Sequence, residues 1–194
     1  MTTTHLLYLH GFRSSPQSNK ARIMADYVSA KHPKVRWWCP QLPPSPRDAA
    51  SLIVEGIASW PRQSMSVMGS SLGGYYASWV AQLARCKSVL INPAVNPARD
   101  LEKYIGEQAS WHDPEEKFFF RPEYIDELRL LDTRSMTPAA PEMVLIAQGD
   151  EVLDWTEMSA RYPHALQLVQ EGGDHALSNF EEYLSRVEEF LTLA

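Results

Sequence analysis

Cysteine is nearly absent from this sequence: only Cys39 and Cys86 occur. Two thiols make no disulfide framework. Both sit in or beside apolar stretches, so two reduced, mostly buried thiols are expected. Paired-cysteine spacing and an H-E-x-x-H sequence are missing too, which removes the usual zinc signatures; neither a metal nor a cofactor is expected. No apolar run approaches membrane-spanning length. Residues 1–10 have neither a basic start nor a long apolar core, so no signal peptide is read there and a cytoplasmic protein is expected. Cations are in the minority, 18 Lys and Arg against 24 Asp and Glu, for a net charge of −6. That balance argues against nucleic acid and anionic membranes as partners, because phosphate binding needs clustered cations. Runs of five or more like charges are lacking, which removes the signature of an interaction tail.

What is present is an ordinary globular composition, 44% hydrophobic and 22% charged over 194 residues. A chain of that length makes one domain, or one domain with an insert, and buries roughly 70% of its unfolded surface without staples. Short apolar runs alternate with helical patterns, the signature of βα units and a parallel sheet. Strands are expected at 5–9, 35–38, 65–68, 88–91, 143–148 and 166–169. Helices are expected at 18–31, from Ser45-Pro46 onward, at 72–85 and at 178–193. Ser45 reads as an N-cap with Pro46 at the first helical position, and Ser178 with Glu181 as a capping box. Residues 93–142 show helical patches and no good strand. That is far longer than a βα connection, so an inserted cap over one end of the sheet is expected.

Gly69-Ser70-Ser71-Leu72-Gly73 is a G-x-S-x-G sequence lying directly between a strand and a helix. A sharp strand-to-helix turn strains its central residue and lifts that side chain clear of the sheet. The residues two before and two after crowd each other and must be small. Gly69 and Gly73 satisfy that for Ser71; taking Ser70 as the centre would put Met68 and Leu72 there. Ser71 is therefore the candidate nucleophile, and a glycine-rich turn without chemistry is the plain alternative. Helix entry leaves the Leu72 N–H pointing beside Ser71. His10-Gly11-Phe12 follows the first strand, and the Phe12 N–H is the candidate second oxyanion donor.

A serine hydroxyl needs a base, and the base an orienting acid; with this motif they follow in the order Ser, acid, His. Of six histidines, His5 and His10 precede the serine, His32 ends a helix, His112 lies in the insert and His164 precedes the last strand. His175 alone follows that strand, in the loop Glu171-Gly172-Gly173-Asp174-His175, and is the candidate base. Asp150 and Asp154 compete as the acid. Asp154 has a sufficient task as a helix cap before Trp155-Thr156-Glu157, whereas Asp150 ends a strand, so Asp150 is chosen. Asp174 is read as shaping the histidine loop.

These stretches together resemble the YqiA-like small bacterial esterases of the α/β-hydrolase superfamily. The resemblance is carried by Tyr8-Leu9-His10-Gly11-Phe12 with Ser14-Ser15-Pro16, by 69–75, by Asn92-Pro93-Ala94-Val95, by 149–154 and by Gly172-Gly173-Asp174-His175. It implies a compact α/β-hydrolase domain over 1–194, a sheet of about six parallel strands and a lid at 93–142. It further implies esterase activity at Ser71, Asp150 and His175. A short-chain ester is then the expected substrate, with a thioesterase, an acyltransferase or a non-catalytic binder as rivals. Trp111, Phe118, Phe119, Phe120, Tyr104 and Tyr124 follow no family pattern; their irregular spacing favours a small packing core over an acyl site.

Overall fold

The computed structural model describes residues 2–111 and 113–194, so Met1 and His112, the histidine set aside above, lie outside the described residues. The chain begins with β1 (His5–Leu9), α1 (Asn19–Lys31), β2 (Arg36–Trp38), α2 (Pro46–Ile57), β3 (Met65–Ser70), α3 (Leu72–Ala84) and β4 (Lys87–Ile91). It continues with α4 (Pro97–Asp100), β5 (Gly106–Ala109), β6 (Lys117–Phe120) and α5 (Glu123–Leu130). β7 (Glu142–Ala147), α6 (Trp155–Arg161), β8 (Leu166–Gln170) and α7 (Leu184–Leu191) complete it.

Six strands form one sheet in the order β2-β1-β3-β4-β7-β8, every neighbouring pair parallel. This is the α/β architecture read from the sequence. The central strands are buried on both faces, which is why they appear as short unbroken apolar runs rather than alternating ones. Alternate residues nevertheless serve different layers. Leu6, Tyr8, Met68 and Leu145 pack beneath α1 and α7, while Leu7, Leu9, Val67 and Val144 pack beneath α2, α3, α5 and α6. The strand order reverses between β1 and β3, and the loops leaving them turn to opposite faces of the sheet, which leaves a crevice at the carboxyl edge there. Among the described residues no helix is long and apolar enough to cross a membrane.

Ser45 caps α2 by accepting from the Asp48 N–H at 3.1 Å, with Pro46 at the first helical position, as the sequence indicates. Two expectations are corrected. Residues 93–142 do contain strands: β5 and β6 pair antiparallel, Gly106 opposite Phe120 and Ala109 opposite Lys117. The alternation was hidden by three consecutive phenylalanines, of which Phe120 is buried and Phe119 points outward. The final helix begins at Leu184, after a 3-10 turn over Phe180–Tyr183. The Ser178 box does not form because Asp174 takes both Ser178 groups, its Oδ1 accepting from the backbone N–H at 2.9 Å and its Oδ2 from the hydroxyl at 2.6 Å. The backbone then turns through positive φ at Leu177, which interrupts helix entry.

Candidate active site

β3 runs straight into α3, and Ser71 is the single residue at the turn, with φ 56° and ψ −122°. A non-glycine residue in that region is strained by about 1–3 kcal/mol and persists only where its surroundings over-determine it. Here they do. The Ser71 N–H donates to Ile91 O at 3.0 Å, and Ser71 O accepts from Gly74 N at 2.9 Å and Ala94 N at 3.0 Å. The crowding inferred from the motif is real: a Cβ on Gly69 would lie 2.0 Å from Gly73 O, and one on Gly73 would lie 2.0 Å from Leu9 O.

Three side chains predicted from distant parts of the sequence meet at this turn. His175 Nε2 lies 3.0 Å from Ser71 Oγ, and His175 Nδ1 lies 2.7 Å from Asp150 Oδ2. The Asp150 side chain is fully buried, and its Oδ1 accepts from the Val152 and Leu153 N–H groups, each at 2.8 Å. Its lone pairs are thus occupied on both sides, which fixes the carboxylate plane against the imidazole. Asp154 does not join this set. It caps α6, its Oδ1 accepting from Thr156 N at 2.8 Å.

Phe12 and Leu72 flank the same turn and line the cavity containing Ser71. Among the described residues neither backbone N–H has a hydrogen-bond partner, so both can serve an incoming oxygen. Gly11 lets this loop close on the serine: a Cβ there would sit 3.3 Å from Ser71 Cβ. His10, adjacent, is buried and structural; its Nε2 accepts from Leu42 N at 3.0 Å, which ties the proline-rich loop to β1. The cavity over Ser71 measures about 560 Å³. A second cavity of about 480 Å³ shares the 10–14 loop and Leu72 with it but does not reach Ser71.

The aromatic residues of 93–142 divide between packing and cavity. Phe118 and Phe120 set their edges against Phe12, with centroids 6.0 and 5.2 Å away, so the cluster is shared with the loop after β1 rather than private to the segment. Tyr104 and Trp111 reach the cavity over Ser71.

A model of the uncharacterised protein family UPF0227 matches residues 5–192. The chain belongs to that family. A UPF0227 protein of Serratia proteamaculans is 24% identical over 195 residues, covering 97% of this chain and 99% of its own length. Among solved structures, Est1E of Butyrivibrio proteoclasticus with bound ferulic acid superposes with a TM-score of 0.73 at 13% identity, covering 98% of this chain and 87% of that one. The Pyrococcus furiosus esterase Pf2001 gives a TM-score of 0.67 at 18% identity, over 98% of this chain and 80% of that one. Likeness at these identities establishes a shared α/β-hydrolase fold.

In this UPF0227 chain, two residues of the site had no role in the sequence reading. Asn92, named there only within a stretch that carries the resemblance, is fully buried at the end of β4. Its Nδ2 donates to the carbonyls of both Asp174 and His175 at 3.0 Å, and its Oδ1 accepts from Ala147 N at 2.8 Å. One amide thereby clamps the histidine loop to two strand ends. Glu151 adds a second hold, its Oε2 accepting from the His175 N–H at 2.9 Å. The one available signal was a polar residue ending an otherwise apolar strand. Gly149 completes the assembly: a Cβ there would meet Gly173 O at 2.4 Å, so the aspartate and histidine loops touch backbone to backbone.

Proposed function

We propose that this protein is a serine hydrolase of carboxylic esters. The observation that carries the reading is the continuous relay from Ser71 Oγ through His175 to buried Asp150, built on a serine held at positive φ. In the proposed reaction His175 Nε2 takes the Ser71 hydroxyl proton as Oγ attacks the ester carbonyl carbon. The carbonyl oxygen becomes an oxyanion facing the N–H groups of Leu72 and Phe12, an arrangement worth about a hundred- to a thousand-fold per donor. As the tetrahedral carbon collapses, His175 gives the proton to the departing alkoxide and an acyl-Ser71 ester remains. Water, deprotonated by His175, attacks that ester, and acid and free serine are released. Asp150 holds Nδ1–H throughout and stabilises the imidazolium without itself taking the proton.

The esterase neighbours and the ferulic acid bound in Est1E support an ester or acid ligand for this fold. Residues 93–142 act in this reading as a cap, since they supply Tyr104 and Trp111 to the cavity. Short-chain esters are the substrates this reading favours.

The test is hydrolysis of nitrophenyl esters of increasing acyl length by wild type and Ser71→Ala. Turnover by wild type, falling with chain length and reduced at least about ten-thousand-fold in the variant, is expected. Equal rates in the two proteins would remove Ser71 from the reaction. No turnover of any ester by wild type would favour a binding protein on the hydrolase fold.

A further inference from the structure

The cavity over Ser71 contains charge that ester hydrolysis does not use. Besides His175, the charged side chains lining it are Arg13, Lys20, Lys103, Asp100 and Glu151. Of the two acids, Asp100 is ion-paired outside the cavity, while Glu151 keeps its charge beside the histidine loop. Asp100 Oδ1 accepts from Arg99 Nε at 2.7 Å, and Glu151 accepts from the His175 N–H.

Arg13 and Lys103 have only neutral companions among the described residues, whereas Lys20 also feels the Asp174 and Asp150 carboxylates. Arg13 Nε donates to Ala109 O at 2.7 Å, and its guanidinium lies 4.2 Å from the Trp111 ring centroid. Lys20 Nζ donates to Ala176 O, and Lys103 Nζ sits 5.2 Å from the Tyr104 ring centroid. Three cations are thus gathered in one cavity of a protein whose net charge is −6, and Arg13 among them keeps its terminal nitrogens free among the described residues.

For Lys20 the arrangement is costly without a ligand, whereas Lys103 stands exposed at the cavity rim. A partly desolvated ammonium with one carbonyl acceptor has lost more hydration than that bond returns. Burial accordingly pushes the Lys20 ammonium down to about 8, although Asp174 and Asp150 pull it upward. The Arg13 fork has its two terminal nitrogens without a partner among the described residues, and its Nε bond and the Trp111 ring hold it in place. A planar guanidinium fork with free terminal nitrogens is suited to two parallel bonds with a carboxylate or phosphate. The Trp111 backbone N–H also donates to the Arg13 backbone carbonyl at 2.8 Å, which joins the two segments that carry ring and guanidinium.

We propose that the substrate bears an anionic group, a carboxylate or a phosphate remote from the scissile bond, which Arg13, Lys20 and Lys103 hold within the cavity over Ser71. The inference rests on the ester-hydrolase reading and narrows its substrate class to anionic esters. The remote anion offsets part of the charge on the three cations while the scissile carbonyl lies at the oxyanion donors. Binding energy from this non-reacting end then orients the ester for attack.

The experiment compares three ligands of similar size, phenylacetate, benzyl phosphate and uncharged phenylacetamide. Each is titrated calorimetrically into Ser71→Ala and used to inhibit nitrophenyl acetate hydrolysis by wild type. At least one anion is expected to bind roughly tenfold or more tightly than the amide, with the gap closing as ionic strength rises. The anion that wins identifies the carboxylate or the phosphate class. Arg13→Gln and Lys103→Gln should each shrink the anion-to-amide ratio, and so should Lys20→Gln, whose contact with Ala176 also touches the histidine loop. Equal binding of amide and anions overturns the proposal. So does an anion preference that survives all three substitutions, because the anion would then sit at the Leu72 and Phe12 donors. Ester turnover in the same wild-type preparation separates the two levels. Turnover without anion preference sinks this inference alone, whereas no turnover removes the hydrolase reading and the substrate claim with it.

Discussion

Asn92 touches no reacting atom in the proposed mechanism, yet its amide holds the backbone on which His175 depends. Replacing it with alanine strands the Ala147 N–H and two carbonyls in a dry interior, at a cost of about 2–4 kcal/mol. Asn92→Asp is the sharper probe, since a carboxylate there would face the Asp174 and His175 carbonyls with no proton to donate. Both variants should lower kcat far more than they raise KM, because the imidazole drifts while the cavity remains; esterase kinetics beside thermal melts check this. Gly73 gives a harsher result. A Cβ 2.0 Å from Leu9 O has no flexible side chain to displace, only the backbone of β1. Gly73→Ala is expected to cost more than about 4 kcal/mol or to prevent folding, read by soluble yield and circular dichroism. The contrast bears on legibility. The Gly69–Gly73 crowding follows from a five-residue pattern, but the Asn92 clamp joins residues 55 to 83 positions apart, which no local pattern records.

At the scale of elements, α5 is docked through one carboxylate. Glu127 Oε2 accepts from the Ser45 hydroxyl at 2.7 Å and from the Arg47 N–H at 3.1 Å, so a side chain from 93–142 caps the start of α2. The Tyr75 hydroxyl adds a second hold one residue further on, donating to Leu128 O at 2.6 Å. Glu127→Ala should therefore destabilise by about 1–2 kcal/mol, the range for losing a helix cap near a positive dipole end. Limited proteolysis of the variant should cut first within 93–142, whereas uniform cleavage would show that the segment does not depend on this contact. The elements themselves were legible in proportion to their burial. β1, β3, β4 and β7 are almost wholly buried and announce themselves as apolar runs. β5 is a half-exposed Gly-Glu-Gln-Ala stretch that becomes a strand only by pairing with β6, and α7 starts late because Asp174 competes for Ser178.

For the whole molecule, the two cysteines report on integrity. Burial pushes both the Cys39 and Cys86 thiols up to about 12, so almost no thiolate exists near neutrality. Alkylation of the native protein at pH 8 should be slow at both sites and should accelerate in step with denaturant unfolding, measured by mass spectrometry. Rapid labelling of Cys39 in the native state would mean that its partial cover opens locally.

The sequence by itself determined the parallel sheet, the strained position of Ser71 and the identity of its His175 and Asp150 partners. Those features rest on local patterns: apolar runs, a small-x-Ser-x-small turn, and acid and histidine placed after successive strands. Only the tertiary structure decided the hold of Asn92 and Glu151 on the histidine loop, the β5–β6 hairpin, and the gathering of Arg13, Lys20 and Lys103 around one cavity. Each of these depends on which loops the sheet order brings to the same crevice, and strand order is fixed by packing between distant segments rather than by the residues of any one of them.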